Sequence, residues 1–464
     1  MNKKSIIIGL VIGAPIAIAI GVCWYAHYRT ERFATNAHAA YTKQIRALGA
    51  EGVPLVAAQL QGPLPPGARD AGQIYKQIAA QMEAHPPKGD DLLVTNGLRQ
   101  NHILTISETN KIHTALQHQA HLMNLIHTAA QRPECDLRID WSNPNPAAVL
   151  FPDFRNIRMG TRALSVESYD LASRGRMREA VKNQALGFQL ADHAYTGKTM
   201  IATLVTAACD AITLEGMRKL LYLSHGDSAI AQAIQDEVRN HLHIHPFSEC
   251  LNTELTIQAS EIEFLREDGP ESLVEASNSD PHNPRSSHFL GLIPRSQWSA
   301  YLDDNGALVL AKLRRDRAII DQPYPVSNPQ LVASDAALEK AIKDSGPLRY
   351  TVAQMLTTNK AKFASKQTVI KASAAITDTS ARLLIFKSKT HSFPASLSAL
   401  PNIPLDPFTG KPLKYRREGA GFVLYSVGED GDFDGGRPAA KPKKYQSMFR
   451  YPMPPYYTTP IKEQ

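Results

Sequence analysis

The chain opens with an uncharged apolar run, Ser5 to Ala26, directly after a short segment that carries two lysines. As an α-helix with a rise of 1.5 Å per residue, this run covers roughly 33 Å, enough to cross the hydrocarbon core of a bilayer. The aromatic residues expected at a membrane interface follow, and they are Trp24, Tyr25 and Tyr28. We therefore expect residues 1–28 to be an uncleaved transmembrane anchor that contacts membrane lipid through residues 5–26.

Two other interpretations of this run fit the sequence less well. Ala17-Ile18-Ala19 has the small-x-small form of a signal peptidase site, but the apolar run continues past it and would leave an apolar mature terminus. A lipoprotein attachment at Cys23 would place the large residue Val22 before the modified cysteine. No second apolar run of this length is evident later in the sequence, so the sequence predicts a single span.

Composition limits the remaining possibilities. Of 464 residues, 43% are hydrophobic and 20% charged, which fits a folded chain with more than one compact unit. The net charge of +7 is concentrated in residues 437–464, which supply +5 of it, so we expect no nucleic-acid-binding face. The four cysteines form no C-x-x-C pair, and neither a disulfide framework nor a zinc cluster is indicated.

Helical periodicity dominates from Arg29 to about Lys389, so the predicted fold class is mainly α. We expect residues 27–47 to continue the membrane helix outward. Further helices of the body, residues 29–267, are predicted at 68–84, 106–131, 160–195, 199–224, 227–243 and 251–267. Residues 160–195 resemble one tetratricopeptide-type helical hairpin, with Gly175 at the turn, but no 34-residue repeat follows. An irregular stack of helical hairpins is therefore predicted, an architecture typical of binding surfaces.

The rest of the chain divides by composition. Residues 268–294 are rich in Ser, Asn, Pro and acids and are predicted to be a flexible linker. A helical segment is expected at 295–349, with helices near 295–320 and 335–343. Residues 350–436 are predicted to hold a long helix, about 350–389, and a small antiparallel β module with its strands within about 413–427. The tail, 437–464, is basic, rich in Pro and Tyr, and expected to be extended and mobile.

The C-terminal third also carries the most specific motifs. They are His391-Ser392-Phe393-Pro394, Leu405-Asp406-Pro407-Phe408-Thr409-Gly410-Lys411-Pro412, and an Asp/Gly-rich segment from Val427 to Gly436. Together they resemble the C-terminal half of the major pseudopilins of type II secretion, in which a helix leads into a small sheet and a calcium-binding loop. The start of the chain departs from that family, because Lys4-Ser5-Ile6-Ile7-Ile8-Gly9 lacks the prepilin cleavage site and the glutamate that follows it. The resemblance implies a module, and the whole chain looks like an uncharacterised class of bacterial single-pass membrane proteins.

Calcium is the one cofactor that the sequence suggests. Asp430, Asp432, Asp434 and Gly435 match the opening of an EF-hand loop, in which alternating carboxylates turn inward and a glycine allows the sharp bend. Position twelve would be Lys441 rather than a bidentate glutamate, so carbonyl groups of residues 425–428 would have to complete the site, as the resemblance implies. The alternative interpretation is a solvated acidic turn.

Other candidate sites are weaker. Gly197-Lys198-Thr199 ends like a phosphate-binding loop, but it lacks the preceding glycine, and Gly197 fits a helix C-cap better. Two groups of histidines could hold zinc or copper in principle, but polar-face histidines are the simpler interpretation; the groups are His241, His243 and His245, and His113, His118, His121 and His127. We find no nucleophile motif, no catalytic residues and no small-molecule substrate.

Two functions from different classes remain. The first is a membrane-anchored scaffold or binding protein of the bacterial envelope, with its N-terminus inside, its body in the periplasm and unidentified envelope proteins as partners. The charge difference across the span is slight, since Lys3 and Lys4 face Arg29 and Arg32, so this orientation rests mainly on the pseudopilin-like end. The second is an extracytoplasmic metal-dependent hydrolase that uses histidines such as His241 and His245.

Overall fold

The computed structural model describes residues 3–60, 69–97, 104–137, 139–143, 145–146, 149, 154–271, 290–291, 293–346, 349–429 and 448–451, with the backbone alone at 3–24 and 448–449. These residues are mainly helical, with a small antiparallel sheet near the C-terminus, as predicted. The helices are α1 (Lys3–Ala50), α2 (Gly72–Ala84), α3 (Leu92–Asn96), α4 (Ile106–His118), α5 (Ala120–Ala130), α6 (Arg155–Ser173), α7 (Met177–Tyr195), α8 (Met200–Leu223), α9 (Ser228–His241), α10 (Phe247–Asp268), α11 (Arg295–Ile319), α12 (Tyr324–Asp344), α13 (Thr351–Leu356) and α14 (Lys360–Thr390).

The first helix is one element, which runs from Lys3 to Ala50. Its C-terminal half packs on α11, where Ala37, Tyr41 and Leu48 are buried. The Tyr41 hydroxyl donates a hydrogen bond to Glu263 of α10 at 2.9 Å. The predicted outward continuation of this helix through residues 27–47 is therefore present, and it ends inside the helical body.

Among the residues that the structure describes, α8 alone meets a length and hydropathy test for a membrane span, which corrects the expectation that no later run would. Its mean hydropathy is 1.4, but 56% of that window is buried inside the protein. Cys209, Leu214 and Met217 are fully buried against neighbouring helices, and α8 contacts α6, α7 and α14. Burial of this extent is typical of a central helix in a helical body.

The predicted hairpin at 160–195 forms α6 and α7. Gly175 has a φ of 77°, and the N–H of Arg176 donates to the carbonyl of Leu171 at 2.9 Å, as in a glycine-terminated helix. Helix α7 then packs on α8 so closely that a Cβ on Gly187 would clash with the side chain of Thr213. Small residues at these contacts let three helices approach one another.

Three predicted helices have different limits. The helix expected over 106–131 is broken at Gln119, which both ends α4 and precedes α5. The helix expected at 335–343 begins already at Tyr324, since Pro323 and a proline in its first turn suit a helix start. The helix expected over 350–389 is divided into α13 and α14, because Asn359 caps α14 by accepting a hydrogen bond from the N–H of Lys362.

The sheet is larger than predicted. Its strands are β1 (Leu405–Asp406), β2 (Lys411–Pro412), β3 (Lys414–Glu418), β4 (Gly421–Tyr425) and β5 (Met448–Tyr451). β1 pairs with β2, and a separate antiparallel sheet has the order β3-β4-β5. The limit of 413–427 was therefore wrong, and part of the tail, expected to be mobile, is the strand β5. Tyr451 of β5 stacks on Phe422 of β4 at 6.0 Å, and this aromatic contact explains why the edge of β4 is covered.

One hydrophobic core joins the helical body to the C-terminal sheet. It contains Leu214 of α8, Ile234 of α9 and Ile376 of α14, together with Phe393 and Phe422. The sheet is thus built onto the body through α14, and all five residues of β4 are buried.

Candidate functional site

The predicted calcium ligands Asp430, Asp432 and Asp434 lie outside the described residues, and so do most of the predicted linker at 268–294 and the rest of the tail. The described residues break off at 429, just before the acidic loop, and resume at 448. The calcium site therefore stays a prediction.

Asp406, from the predicted turn motif, fixes the segment that leads into this loop. It is 1% exposed, and its Oδ1 accepts hydrogen bonds from the N–H of Phe408 at 3.0 Å and from the Ser426 hydroxyl at 2.9 Å. Its Oδ2 accepts from the N–H of Val427 at 3.0 Å. One buried carboxylate thus ties the turn after β1 to the chain that leaves β4, which positions the start of the acidic loop.

The histidines of α4 and α5 do not form one site. Three of the four pair with different carboxylates: His113 with Asp170 at 3.1 Å, His118 with Asp91 at 3.3 Å and His127 with Glu167 at 2.8 Å. These pairs link α4 and α5 to their neighbours, which is a structural role.

The second group of histidines is divided differently. His241, the last residue of α9, lies 3.2 Å from Glu237 on its own helix. His243 and His245 lie on an extended connector, and both reach Asp192 of α7, at 2.7 and 2.8 Å. Within the described ranges, no group of three or more His, Cys, Asp or Glu side chains could hold a metal ion. His241 and His245, the histidines suggested for a hydrolase site, therefore contact different carboxylates and do not form one site.

His243 and His245 also line a small cleft, about 30 Å³ in volume, between α7, α8, the connector 242–246 and α14. The His245 ring stacks on Tyr195, with centroids 3.7 Å apart and planes 11° from parallel. Phe247 and Phe363 line the same cleft and meet edge to face at 5.9 Å. The walls of the cleft are therefore largely aromatic and aliphatic.

Asp210 of α8 lies among the residues that line this cleft and is 4% exposed. Burial raises the pKa of its carboxyl well above the ordinary value, and the neighbouring Asp192 carboxylate raises it further. No hydrogen bond or ion pair reaches it from the parts of the chain that the structure describes. An ionisable side chain in this position, buried, unpaired and facing a cleft, is a common property of functional sites. Sequence analysis missed it, because α8 shows only an apolar helix at this point.

The charges of a second buried set pair with one another, although the Oδ2 of Asp335 has no hydrogen-bond partner among the described residues. Lys312 of α11 lies 2.5 Å from Asp316 and 2.6 Å from Asp335, and the Ser334 hydroxyl donates to Asp316 at 2.6 Å. Nearby, burial lowers the pKa of Lys360. This network joins α11 to α12, which fits a structural role.

Two other sequence candidates have structural roles. Thr199 caps α8, with its hydroxyl accepting from the N–H of Ala202 at 3.1 Å. The residue with positive φ in this turn is Lys198, at 44°, so the prediction that Gly197 forms the helix cap was wrong. Burial raises the pKa of Cys209 and Cys250 to about 12, so these thiols are not nucleophiles at neutral pH.

No family model, curated protein or solved structure matches the chain.

Proposed function

We propose that the protein is a membrane-anchored scaffold or binding protein of the bacterial envelope. The N-terminal part of α1 lies in the inner membrane, and the helical body and C-terminal sheet lie in the periplasm. The observation that supports this most is the continuity of α1 from Lys3 to Ala50, since the same helix carries the apolar run and enters the body. No flexible segment separates the anchor from the body.

The exposed section of α1 fits a membrane interface. Tyr25 and Tyr28 are 57% and 47% exposed, and the Arg29 guanidinium lies 5.8 Å from the centre of the Tyr25 ring. Phe33 contacts the body, with the Arg349 guanidinium 5.7 Å from the centre of its ring. Five residues of helix from Tyr28 to Phe33 cover about 8 Å, so the body would be held next to the headgroups.

The other apolar helix, α8, is a poor candidate for the anchor. It carries Asp210, Glu215, Arg218 and Lys219, and removing it from the body would expose the core around Leu214. Arg218 donates to the hydroxyls of two α14 residues, so its charge is used inside the protein. The span is therefore assigned to α1 in this proposal.

A scaffold role suits the rest of the architecture. Stacked helical hairpins bury one face and leave the other for partners, and they carry no chemistry of their own. No specific observation favours the alternative, a metal-dependent hydrolase, because His241 and His245 contact different carboxylates.

Calcium is the proposed ion of the acidic loop at Asp430, Asp432 and Asp434. Since Asp406 fixes the chain just before this loop, an ion there would stabilise the end of β4. Binding to the folded state at a hundredfold excess over Kd would add about 2.7 kcal/mol. Melting the full chain with calcium and with chelator tests this, and an identical midpoint in both, or an unchanged calcium response in Asp432→Ala, would leave an ordinary acidic turn.

The anchor is tested by fractionation. The full chain should stay with membranes after alkaline carbonate and urea washes, whereas a chain that begins at residue 31 should be soluble and folded. In native membranes, crosslinking the full chain should then capture defined envelope proteins. A full chain that washes off the membrane would contradict the proposal, and so would a folded body that crosslinks only to itself.

A further inference from the structure

We propose that the outer edge of β3, Lys414–Glu418, binds an extended acidic segment of a partner protein as an additional strand of the sheet. This inference rests on the proposed scaffold role and names the chemistry of a partner that the C-terminal sheet would take. It follows from an open backbone edge, from the basic side chains along that edge and from the rigid support of the strand.

The backbone of β3 is open on one side. The sheet has the order β3-β4-β5, so β4 is the one strand that pairs with β3 among the described residues. β3 and β4 form a hairpin with a two-residue turn, next to which Glu418 pairs with Gly421. Hydrogen-bonded and non-hydrogen-bonded pairs alternate along such a ladder, so the N–H and C=O groups of Tyr415 and Arg417 point away from β4. A segment laid along this side would pair with both residues.

The side chains along this edge are basic. Residues 411–418 carry one acid, Glu418, and four exposed basic residues, which are Lys411, Lys414, Arg416 and Arg417. Glu418 is already neutralised, because the Arg416 guanidinium contacts it and that of Arg450 on β5 lies 3.5 Å away. Lys414 and Arg417 form no ion pair within the described ranges. The edge therefore carries positive charge that acidic side chains on a neighbouring strand would complement.

The same charges argue against other occupants. Basic residues on an edge strand oppose pairing with a second copy of that edge, because like charges would lie opposite each other. A neutral strand would gain the backbone hydrogen bonds but none of the favourable charge pairs. Acidic side chains therefore give the specificity, and the backbone edge gives the binding mode.

β3 is held in place before any partner binds. The Tyr415 hydroxyl donates to the carbonyl of Pro394 at 2.7 Å, and the Tyr415 ring lies 6.1 Å from that of Phe422, a fully buried residue of β4. The sheet shares a hydrophobic core with α8, α9 and α14. Because β3 is already ordered, a partner has only its own segment to order on binding, which lowers the entropic cost.

The test uses the purified full chain in detergent and a fluorescein-labelled, acetylated heptapeptide in which threonine and glutamate alternate. We expect saturable binding by fluorescence anisotropy, weakened by added salt. The same peptide with lysine in place of glutamate should bind at least about tenfold more weakly, because like charges then meet. The glutamate peptide with its backbone N-methylated throughout keeps its charges but loses its N–H donors, and it should also bind about tenfold more weakly.

Variants of the chain locate the site. Lys414→Ala and Arg417→Ala combined should weaken binding of the glutamate peptide by about three- to tenfold, since two unpaired charges are removed from exposed positions. Arg315→Ala is the matched control, because Arg315 is an exposed arginine of α11, and it should bind the peptide as the wild type does. Unchanged hydrogen exchange of β4 in the combined variant shows that the sheet is intact.

Several results would overturn the proposal. They are no binding of the glutamate peptide, equal affinity for the lysine or the N-methylated peptide, and unchanged affinity in the combined β3 variant. Binding that is more than about tenfold tighter in Asp432→Ala would make the chain's own acidic loop the occupant. A wild-type dimer that the combined β3 variant abolishes would make a second copy the occupant. The peptides are compared on the wild type alone, so that comparison decides the question even if a variant does not fold.

Failure of this proposal is distinguishable from failure of the scaffold role. Envelope proteins captured by crosslinking in native membranes, without binding of the glutamate peptide, would refute the β3 site alone. Peptide binding by a chain that crosslinks only to itself in native membranes would refute the scaffold role and leave the β3 site as measured.

Discussion

Replacing Asp406 with alanine should loosen the C-terminal sheet. The carboxylate accepts three hydrogen bonds of 2.9–3.0 Å, from Phe408, Ser426 and Val427, and it is 1% exposed. Each buried donor left without an acceptor costs roughly 1 to 3 kcal/mol. Because the three share one group and water can enter the space, we expect about 3 to 5 kcal/mol in total rather than the full sum.

Hydrogen exchange of β4 measures this loss. The amides of β4 are held by β3 and β5 and have no direct bond to Asp406, so they report the opening of the sheet rather than the deleted contact. A loss of about 3 kcal/mol should speed their exchange on the order of a hundredfold. Ser426→Ala removes one donor and should cost about 1 kcal/mol, roughly a fivefold change.

The control is Asp236→Ala, at a half-exposed acid on α9, which should change β4 exchange by less than about twofold. Exchange in Asp406→Ala within about fivefold of the wild type would refute the view that this carboxylate holds the segment before the acidic loop.

Three further predictions concern the body. Lys312→Met leaves two buried carboxylates without their partner and should destabilise the body by about 3 to 5 kcal/mol in thermal unfolding, whereas Lys340→Met, at an exposed pair, should cost under about 1 kcal/mol. Gly187→Ala should cost about 1 to 3 kcal/mol by forcing α7 from α8, while Gly49→Ala, with open space around it, should be neutral or stabilising. Asp210→Asn should be more stable than the wild type at pH 7, and this difference in stability should vanish near about pH 4. The reason is that burial raises the pKa of the Asp210 carboxyl in the folded state, so folding keeps a proton that the unfolded chain releases above about pH 4. Equal melting points for Lys312→Met and Lys340→Met, or for Gly187→Ala and Gly49→Ala, would contradict the first two expectations. A stability difference between Asp210→Asn and the wild type that does not change with pH would contradict the third.

Helix positions followed from the sequence where local signals were strong. The predicted turn at Gly175 ends α6 through local hydrogen bonds. The helix predicted over 227–243 begins within one residue of its predicted start, because Asp227 caps it. The break at Gln119 was missed, because its backbone departs little from helical and no Gly or Pro marks it. The division before α14 was also missed, although Asn359 is a good N-cap residue.

Long-range pairing could not be predicted in the same way. Strand β5 is separated from β4 by residues of mixed turn and basic character, and it belongs to the sheet through its antiparallel pairing with β4 and the packing of Tyr451 on Phe422. The alternation of His243 and His245 was visible in the sequence, but their common partner Asp192 is 51 residues from His243. Such contacts depend on tertiary packing rather than on local pattern.

The cleft could not be predicted from the sequence for the same reason. Its floor is an acid inside an apolar helix, which in sequence is an ordinary charged residue. Its walls come from α7, the connector and α14, so the site exists only once the body has folded. A buried, unpaired carboxyl is recognised from burial and partners, and a single sequence gives neither.

The measurement that tests the account most directly is protease treatment of intact spheroplasts, with antibodies against residues 69–97 and against the C-terminus. If α1 is the span and the body lies outside, both regions should be degraded, leaving only a short fragment near the N-terminus. Protection of both regions would place the body in the cytoplasm. Protection of one region alone would make α8 the span, and release of a soluble form that lacks residues 1–19 would show that the apolar run is a cleaved signal peptide.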